Sequence, residues 1–270
     1  MSSQEVELDI YEHGVLVREG GPPAPLRLVA STRMPIYSGY TLCIVDSDGT
    51  SLNERATTLL VPAGPYTTAD FWDESDVRYC ILAMLYHLNR VVDRYVANCQ
   101  LFESDVRLRT AIRGNVDDSQ LFYEIDALIS CARRVYESIR KVLWKYYNSG
   151  SHGRWRSIRK ALADNHIPTS FRSSLNESWT AVGEKLTLYR DCIAHYDPLT
   201  TGQATCWMEP IGNRWGMTVK LPSNPESGRR SYNFGAGPDA LQYCHTVACH
   251  LVGLAEELER QPAIAATLAA

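Results

Sequence analysis

The stretch LTLYRDCIAHYDPL, residues 186–199, places an arginine, an acid and a histidine at the end of a helical pattern. Arg190 and His195 are expensive to bury and unnecessary for packing, so they belong to a solvated helix end or to chemistry. The chemistry they suit is specific. An imidazole takes up or releases a proton near neutral pH. A guanidinium keeps its charge and offers phosphate oxygens a planar fork of donors. Together they suit RNA cleavage without a metal, in which the 2′-hydroxyl attacks the adjacent phosphate. Asp191 would orient Arg190 or the histidine. The same residues also suit a plain helix C-terminus, with Arg190 paired to Asp191 or Asp197 and His195 capping carbonyls.

On one ideal helix the five-residue step from Arg190 to His195 is about 7.5 Å along the axis and roughly 140° around it. One copy is therefore poorly placed to grip a single phosphate with both groups, whereas two copies facing across a two-fold axis can surround one. An Arg with a His five to seven positions later carries little information by itself, because Arg159 to His166 matches that pattern too and reads as a decoy. Three further features narrow it: Asp191 follows Arg190 directly, Pro198 stops the helix, and helical patterning surrounds the motif.

With those features the stretch Arg190-Asp191-Cys192-Ile193-Ala194-His195 resembles the R-[N/D/H]-x-x-x-H motif of the HEPN superfamily. These are helical-bundle proteins found in RNA-cleaving toxins, antiviral defence effectors and RNA-processing enzymes. The resemblance covers roughly residues 72–262 and leaves out residues 1–70. It implies a metal-independent endoribonuclease without cofactor, acting as a homodimer with a composite site, with Arg190, Asp191 and His195 as catalytic residues. The implied products are 2′,3′-cyclic phosphate and 5′-hydroxyl ends, and the implied setting is bacterial defence or toxin activity in the cytoplasm. One departure stands out. Members modified by nucleotide transfer carry a tyrosine four residues after the histidine, where this chain has Leu199, and Tyr196 instead follows His195 directly. That argues against this subgroup. The alternative is a HEPN-like module without catalysis that binds RNA or protein, or that partners the product of a neighbouring gene.

A basic segment lies upstream. Residues 133–160 hold Arg133, Arg134, Arg140, Lys141, Lys145, Arg154, Arg156, Arg159 and Lys160 against the single acid Glu137. Trp144, Tyr146, Tyr147 and Trp155 are interleaved with them. Positive charge along a phosphate chain, with aromatic faces for stacking, suits single-stranded RNA. Solvated helix faces carry such charges as well, and the aromatics also fit a bundle core. Arg229 and Arg230 are weaker candidates. Glu124 and Asp126 either face a site or lie on a solvated helix face.

Other chemistries find little support. No G-x-x-x-x-G-K-[ST], G-x-S-x-G or H-E-x-x-H occurs, and Gly235-Ala236-Gly237 follows a polar loop rather than a strand. The eight cysteines include no C-x-x-C and read as reduced thiols. Cys244, His245, Cys249 and His250 invite a zinc reading, but on a helix 244 and 249 face different ways, so no metal site is expected.

The elements that must position the motif follow from patterning. The chain has 270 residues, 45% hydrophobic and 21% charged, with net charge −4, which places it among ordinary globular proteins. No apolar run reaches membrane-spanning length, and MSSQEVELD does not read as a signal peptide. Residues 1–70 read as a small β-rich module: a hairpin over 6–20 with its turn near His13-Gly14, then strands at 26–30, 41–49 and 56–62. From about residue 71 to 265 the period predicts a helical bundle. Its helices are expected at 75–102, 119–147, 154–165, from Pro168 to the stop at Pro198, and 239–260, with an inserted hairpin at 204–222. The fold class expected is α+β, mainly α: a HEPN-like bundle with an inserted β-hairpin.

Overall fold

The computed structural model describes residues 5–11, 14–18, 27–33, 41–44, 50–60, 71–104, 114–147, 155–195, 199, 206–211, 214–227 and 232–269. Side chains are described within residues 50–269, except at 71–76, 103, 114–115, 195, 209–211 and 214. The described chain is mainly helical. Its two longest helices are α2, Phe71–Ser104, and α3, Ser119–Tyr147. The α2 stripe Val77, Ile81, Met84, Leu88, Val91 and Tyr95 recurs every three or four residues and is buried throughout, which is why this sequence folds as a helix against neighbours. The same period buries Ile125, Leu128, Ala132, Val135 and Ile139 on α3.

Helix α7, Ala240–Glu259, starts where expected because Asp239 caps it, accepting from the backbone N–H groups of Leu241 and Gln242. The tail folds as α8, Pro262–Leu268, and buries Ile264 and Leu268. The helix expected at 154–165 is shorter, α4 at Ile158–Leu162, with Ser157 as its cap.

Two expectations need correction. The Thr-Thr-Leu-Leu-Val run predicts a strand over residues 56–62, but α1 spans Leu52–Thr58. Ser51 caps it, accepting from Glu54 N–H, and Leu52 and Ala56 share the buried face one turn apart. Arg55 then ties α1 to α7 through a two-pronged bond to Glu256, at 2.7 and 2.8 Å. The single helix expected after Pro168 is interrupted. It runs as α5, Thr169–Ser178, a π turn at Trp179–Gly183, and α6, Glu184–His195. Gly183 sits there because a side chain would overlap the Trp179 ring and crowd Tyr136.

The strands β1 (Glu5–Tyr11), β2 (Gly14–Arg18), β3 (Arg27–Arg33) and β4 (Thr41–Ile44) agree with the reading of the N-terminal hairpin and the two strands after it. The late hairpin is β6, Cys206–Ile211, and β7, Arg214–Val219. A short β5, Gly114–Asn115, pairs with β6. All seven strands form one antiparallel sheet in the order β4-β3-β1-β2-β7-β6-β5. The N-terminal strands meet the late hairpin through Val15 opposite Met217.

Side-chain contacts fix how the helices run. Asn98 donates to Asp118 at 2.9 Å while Cys80 meets Ser138, so α2 and α3 are antiparallel. Tyr95 of α2 reaches Asp239 at the start of α7. Tyr243, one turn into α7, donates to the Val182 carbonyl at 3.2 Å and packs its ring on Tyr189. Farther along, α7 faces Ser174 and Glu177 of α5. The starts of α3 and α7 and the end of α6 therefore share one end of the bundle.

At that end Gly237 passes so close to the Leu221 carbonyl that a Cβ would overlap its oxygen. Gly237→Ala is expected to lower stability by about 1–3 kcal/mol. Denaturant unfolding checks it, and an unchanged midpoint would mean that this backbone contact yields freely.

Candidate functional site

Helix α6 buries Leu186, Tyr189 and Cys192. On one flank it is held by α7 and the loop after β7: Tyr189 donates to the Pro222 carbonyl at 2.8 Å, and Cys192 Sγ meets the Tyr232 hydroxyl. The other flank faces α3, since a side chain at Gly183 would press on the Tyr136 ring. Seven residues on, at nearly the same helical phase, stands Arg190. The motif arginine thus emerges where α6 borders α3. Its side chain is 46% exposed, and Nη1 donates to Asp191 Oδ1 at 2.8 Å. His195 is the last residue of α6, in line with Leu188 and one turn beyond Asp191, but its side chain and Asp197 lie outside the described residues. Leu188 is 42% exposed.

Helix α3 carries Asp126. It lies two turns before Arg133, whose guanidinium sits over the Trp179 ring at 5.6 Å, so it shares the α5–α6-facing stripe of α3. Asp126 Oδ1 is buried without a hydrogen-bond partner among the described residues. Burial pushes its carboxyl up to about 7. It therefore exchanges a proton in the physiological range, and its charge reaches the buried Cys244 of α7, whose thiol it helps to raise. From the sequence alone, Asp126 either faces a site or lies on a solvated helix face. The available signal was its place between Phe122 and Ile129, on the apolar side of the helix wheel.

The basic segment divides. Arg140 is buried, pairs with Glu137 Oε2 at 2.6 Å and donates to the Trp155 carbonyl. Arg133 pairs with the other oxygen of Glu137, also at 2.6 Å. The expectation that Arg140 contacts RNA is corrected, since Glu137 and the Trp155 carbonyl hold its buried guanidinium; Arg133 stays partly exposed on α3. Trp144 and Trp155 pack edge to face, and Trp155 is buried, its Nε1 donating to Asp164, so Trp155 offers no free stacking face, while Trp144 is half-buried. Arg134 lies exposed over the Tyr79 ring. Lys141, Lys145, Arg156 and Lys160 are exposed. Arg159 is 73% exposed and pairs with Glu184 at 2.9 Å. Arg154, Arg229 and Arg230 lie outside the described residues.

These cations are not gathered around Arg190. From the Tyr136–Gly183 contact, Arg190 lies about 10 Å toward one end of the bundle and Lys145 about 13 Å toward the other. The decoy pair is also separated, with Arg159 on Glu184 and His166 bonded to Asp164 at 2.7 Å.

Among the described residues no group of three or more His, Cys, Asp or Glu is arranged to hold a metal. Cys244 points into the core, and His245 and Cys249 contact each other across one turn. No described helix is long and apolar enough to cross a membrane. Comparison with protein-family models, with curated proteins and with solved structures gives no match to this chain.

Two outcomes test this placement. Asp126 has a carboxyl raised from 3.8 to about 7, so the folded state holds its proton more tightly than the unfolded chain. Its stabilising share is complete at low pH and is lost as pH rises through 7. Asp126→Asn is expected to raise the melting temperature at pH 8 and to leave it unchanged near pH 4, and equal shifts at both would contradict the assignment. Among the basic residues, Arg140→Ala is expected to lower stability by about 1–3 kcal/mol, because it strands the Trp155 carbonyl. Lys141→Ala and Lys145→Ala are expected to leave the melting curve in place while weakening RNA retention in a filter assay.

Proposed function

We propose that this protein is a metal-independent endoribonuclease of the HEPN type, working as a homodimer in which each copy completes the other's site. The observation that supports it is the exposed Arg190–Asp191 pair on the α3-facing flank at the end of α6, five residues before His195. The helical bundle with a hairpin before its last long helix fits the same reading.

In this mechanism His195 accepts the proton of the RNA 2′-hydroxyl. The oxygen then bonds to the adjacent phosphorus. The bond from phosphorus to the 5′-oxygen breaks, and an imidazolium, from either copy, gives that oxygen its proton. Arg190 neutralises the phosphorane through its donor fork, and Asp191 fixes the orientation of the guanidinium. The products are a 2′,3′-cyclic phosphate and a 5′-hydroxyl. Lys141, Lys145 and Arg156 would hold RNA away from the cleaved bond. Bacterial defence or toxin activity is the setting such chemistry fits.

Incubation with end-labelled RNA in EDTA tests the reading. Wild type is expected to cut, and Arg190→Ala and His195→Ala each to lose at least about 100-fold in rate. RNA bound but left intact by the wild type would instead support a non-catalytic binding module.

A further inference from the structure

We propose that the outward face of the α2–α3 pair binds single-stranded RNA by stacking its bases on tyrosines, which rests on the RNA reading above but not on cleavage. Helix α2 presents Tyr79, Tyr86 and Arg90 within about 20° of one line, opposite its buried stripe of Val77, Ile81, Met84 and Leu88. Helix α3 presents Tyr123, Arg134, Lys141 and Lys145 opposite its buried Ile125, Ala132, Tyr136 and Leu143. Two contacts set these stripes side by side. The Arg134 guanidinium lies 5.9 Å from the centre of the Tyr79 ring. His87 Nδ1 meets Glu124 Oε2 at 2.7 Å, joining the neighbours of Tyr86 and Tyr123.

Tyr79, Tyr86 and Tyr123 are 62%, 57% and 69% exposed. Among the described residues no other tyrosine, tryptophan or phenylalanine is exposed, so open aromatic rings are confined to this face. Packing does not require them, because the opposite sides of both helices already fill the core.

The charge on the face is one-sided. From Tyr123 to Lys145 the outward stripe of α3 runs about 33 Å. It consists of Tyr123, Ala127, Ser130, Arg134, Lys141 and Lys145 and holds no acid. Glu124 and Glu137 lie to either side of it, the first held by His87 and the second by Arg133 and Arg140. Arg134 engages the Tyr79 ring, and among the described residues no carboxylate pairs with it. On α2, Arg90 lies 5.7 Å from the Tyr86 ring and is balanced by Asp93 at 2.8 Å. The net positive charge therefore comes from α3.

Cations spaced along a helix follow a phosphate chain, and exposed rings beside them take bases of any sequence. A duplex keeps its bases stacked within itself, so only a single strand uses both features. Tyr123 lies near the start of α3, at the bundle end that α3 shares with the end of α6. A strand followed from Lys145 to Tyr123 thus approaches the motif.

Fluorescence anisotropy with a labelled 2′-O-methyl oligonucleotide of about 12 nucleotides tests the face, since that probe cannot be cut by attack of its 2′-oxygen. The Tyr79→Ala, Tyr86→Ala, Tyr123→Ala triple variant is expected to bind at least about 10-fold more weakly, and the corresponding triple Phe variant to bind as wild type does. Arg134→Glu is expected to weaken binding and to flatten its salt dependence. A duplex of the same sequence is expected to bind more weakly than the single strand. Circular dichroism melting establishes that each variant is folded. No binding of the single strand, unchanged affinity in the folded triple Ala variant, or duplex binding of equal strength would each overturn the proposal. So would a wild-type dimer that the triple Ala variant loses in analytical ultracentrifugation, which would assign the face to a second copy. Binding without cutting of unmodified RNA would sink the nuclease and leave this face standing, whereas cutting with unchanged affinity in the triple Ala variant would sink this face alone.

Discussion

The structure turns on a buried carboxylate at one end of the bundle. Asp239 is 1% exposed, a costly place for an acid. Four donors converge on it: the Leu241 and Gln242 amides of α7, the Val219 amide of β7 and the Tyr95 hydroxyl of α2. Even so, burial outweighs them and pushes the carboxyl up to about 6. One side chain thus joins two helices and the sheet. The adjoining backbone extends the junction, with Leu221 N–H bonded to the Pro238 carbonyl and Tyr189 of α6 bonded to Pro222. The end of α6, where the motif lies, is located by these contacts and not by the motif itself.

How much of this could be read beforehand depended on whether the deciding interaction was local. Helix α3 follows from its own period, and α7 from its period and the Asp239 cap. Helix α1 does not. The run Thr57-Thr58-Leu59-Leu60-Val61 favours a strand, and the contact that settles the matter joins Arg55 to a residue far along the chain, Glu256. The π turn is equally non-local, since it depends on Gly183 lying against rings of α3 and of its own preceding turn. The candidate site divides in the same way. The residue types of the motif and their phase on one helix are visible in the sequence. The buried Asp126 carboxyl requires knowing which stripe of α3 packs inside the bundle, within reach of Cys244 on α7.

Charge was legible in amount but not in allocation. Nine cations between residues 133 and 160 suggest a basic track. Glu137, the one acid among them, engages two guanidiniums, and the Trp155 carbonyl takes a further donor from Arg140. The exposed remainder among the described residues is Arg134, Lys141, Lys145, Arg156, Arg159 and Lys160. Helix α7 shows the opposite case: Glu256 draws two arginines, and Glu257 beside it has neither.

The Arg190–Asp191 pair is close to neutral for stability, as an ion pair between two side chains each nearly half exposed. Packing does not need it, since Leu186, Tyr189 and Cys192 already hold α6 in place. A helix also cannot aim Arg190 and position 195 at one point, because they diverge by roughly 140°. What this flank can present to one phosphate is a single pre-oriented guanidinium. Leu188, in line with position 195, adds an exposed apolar side chain beside it. A second copy placed against this flank would cover the leucine and bring an imidazole toward the guanidinium from outside. That arrangement gives both the exposed apolar side chain and the structurally unneeded ion pair a role.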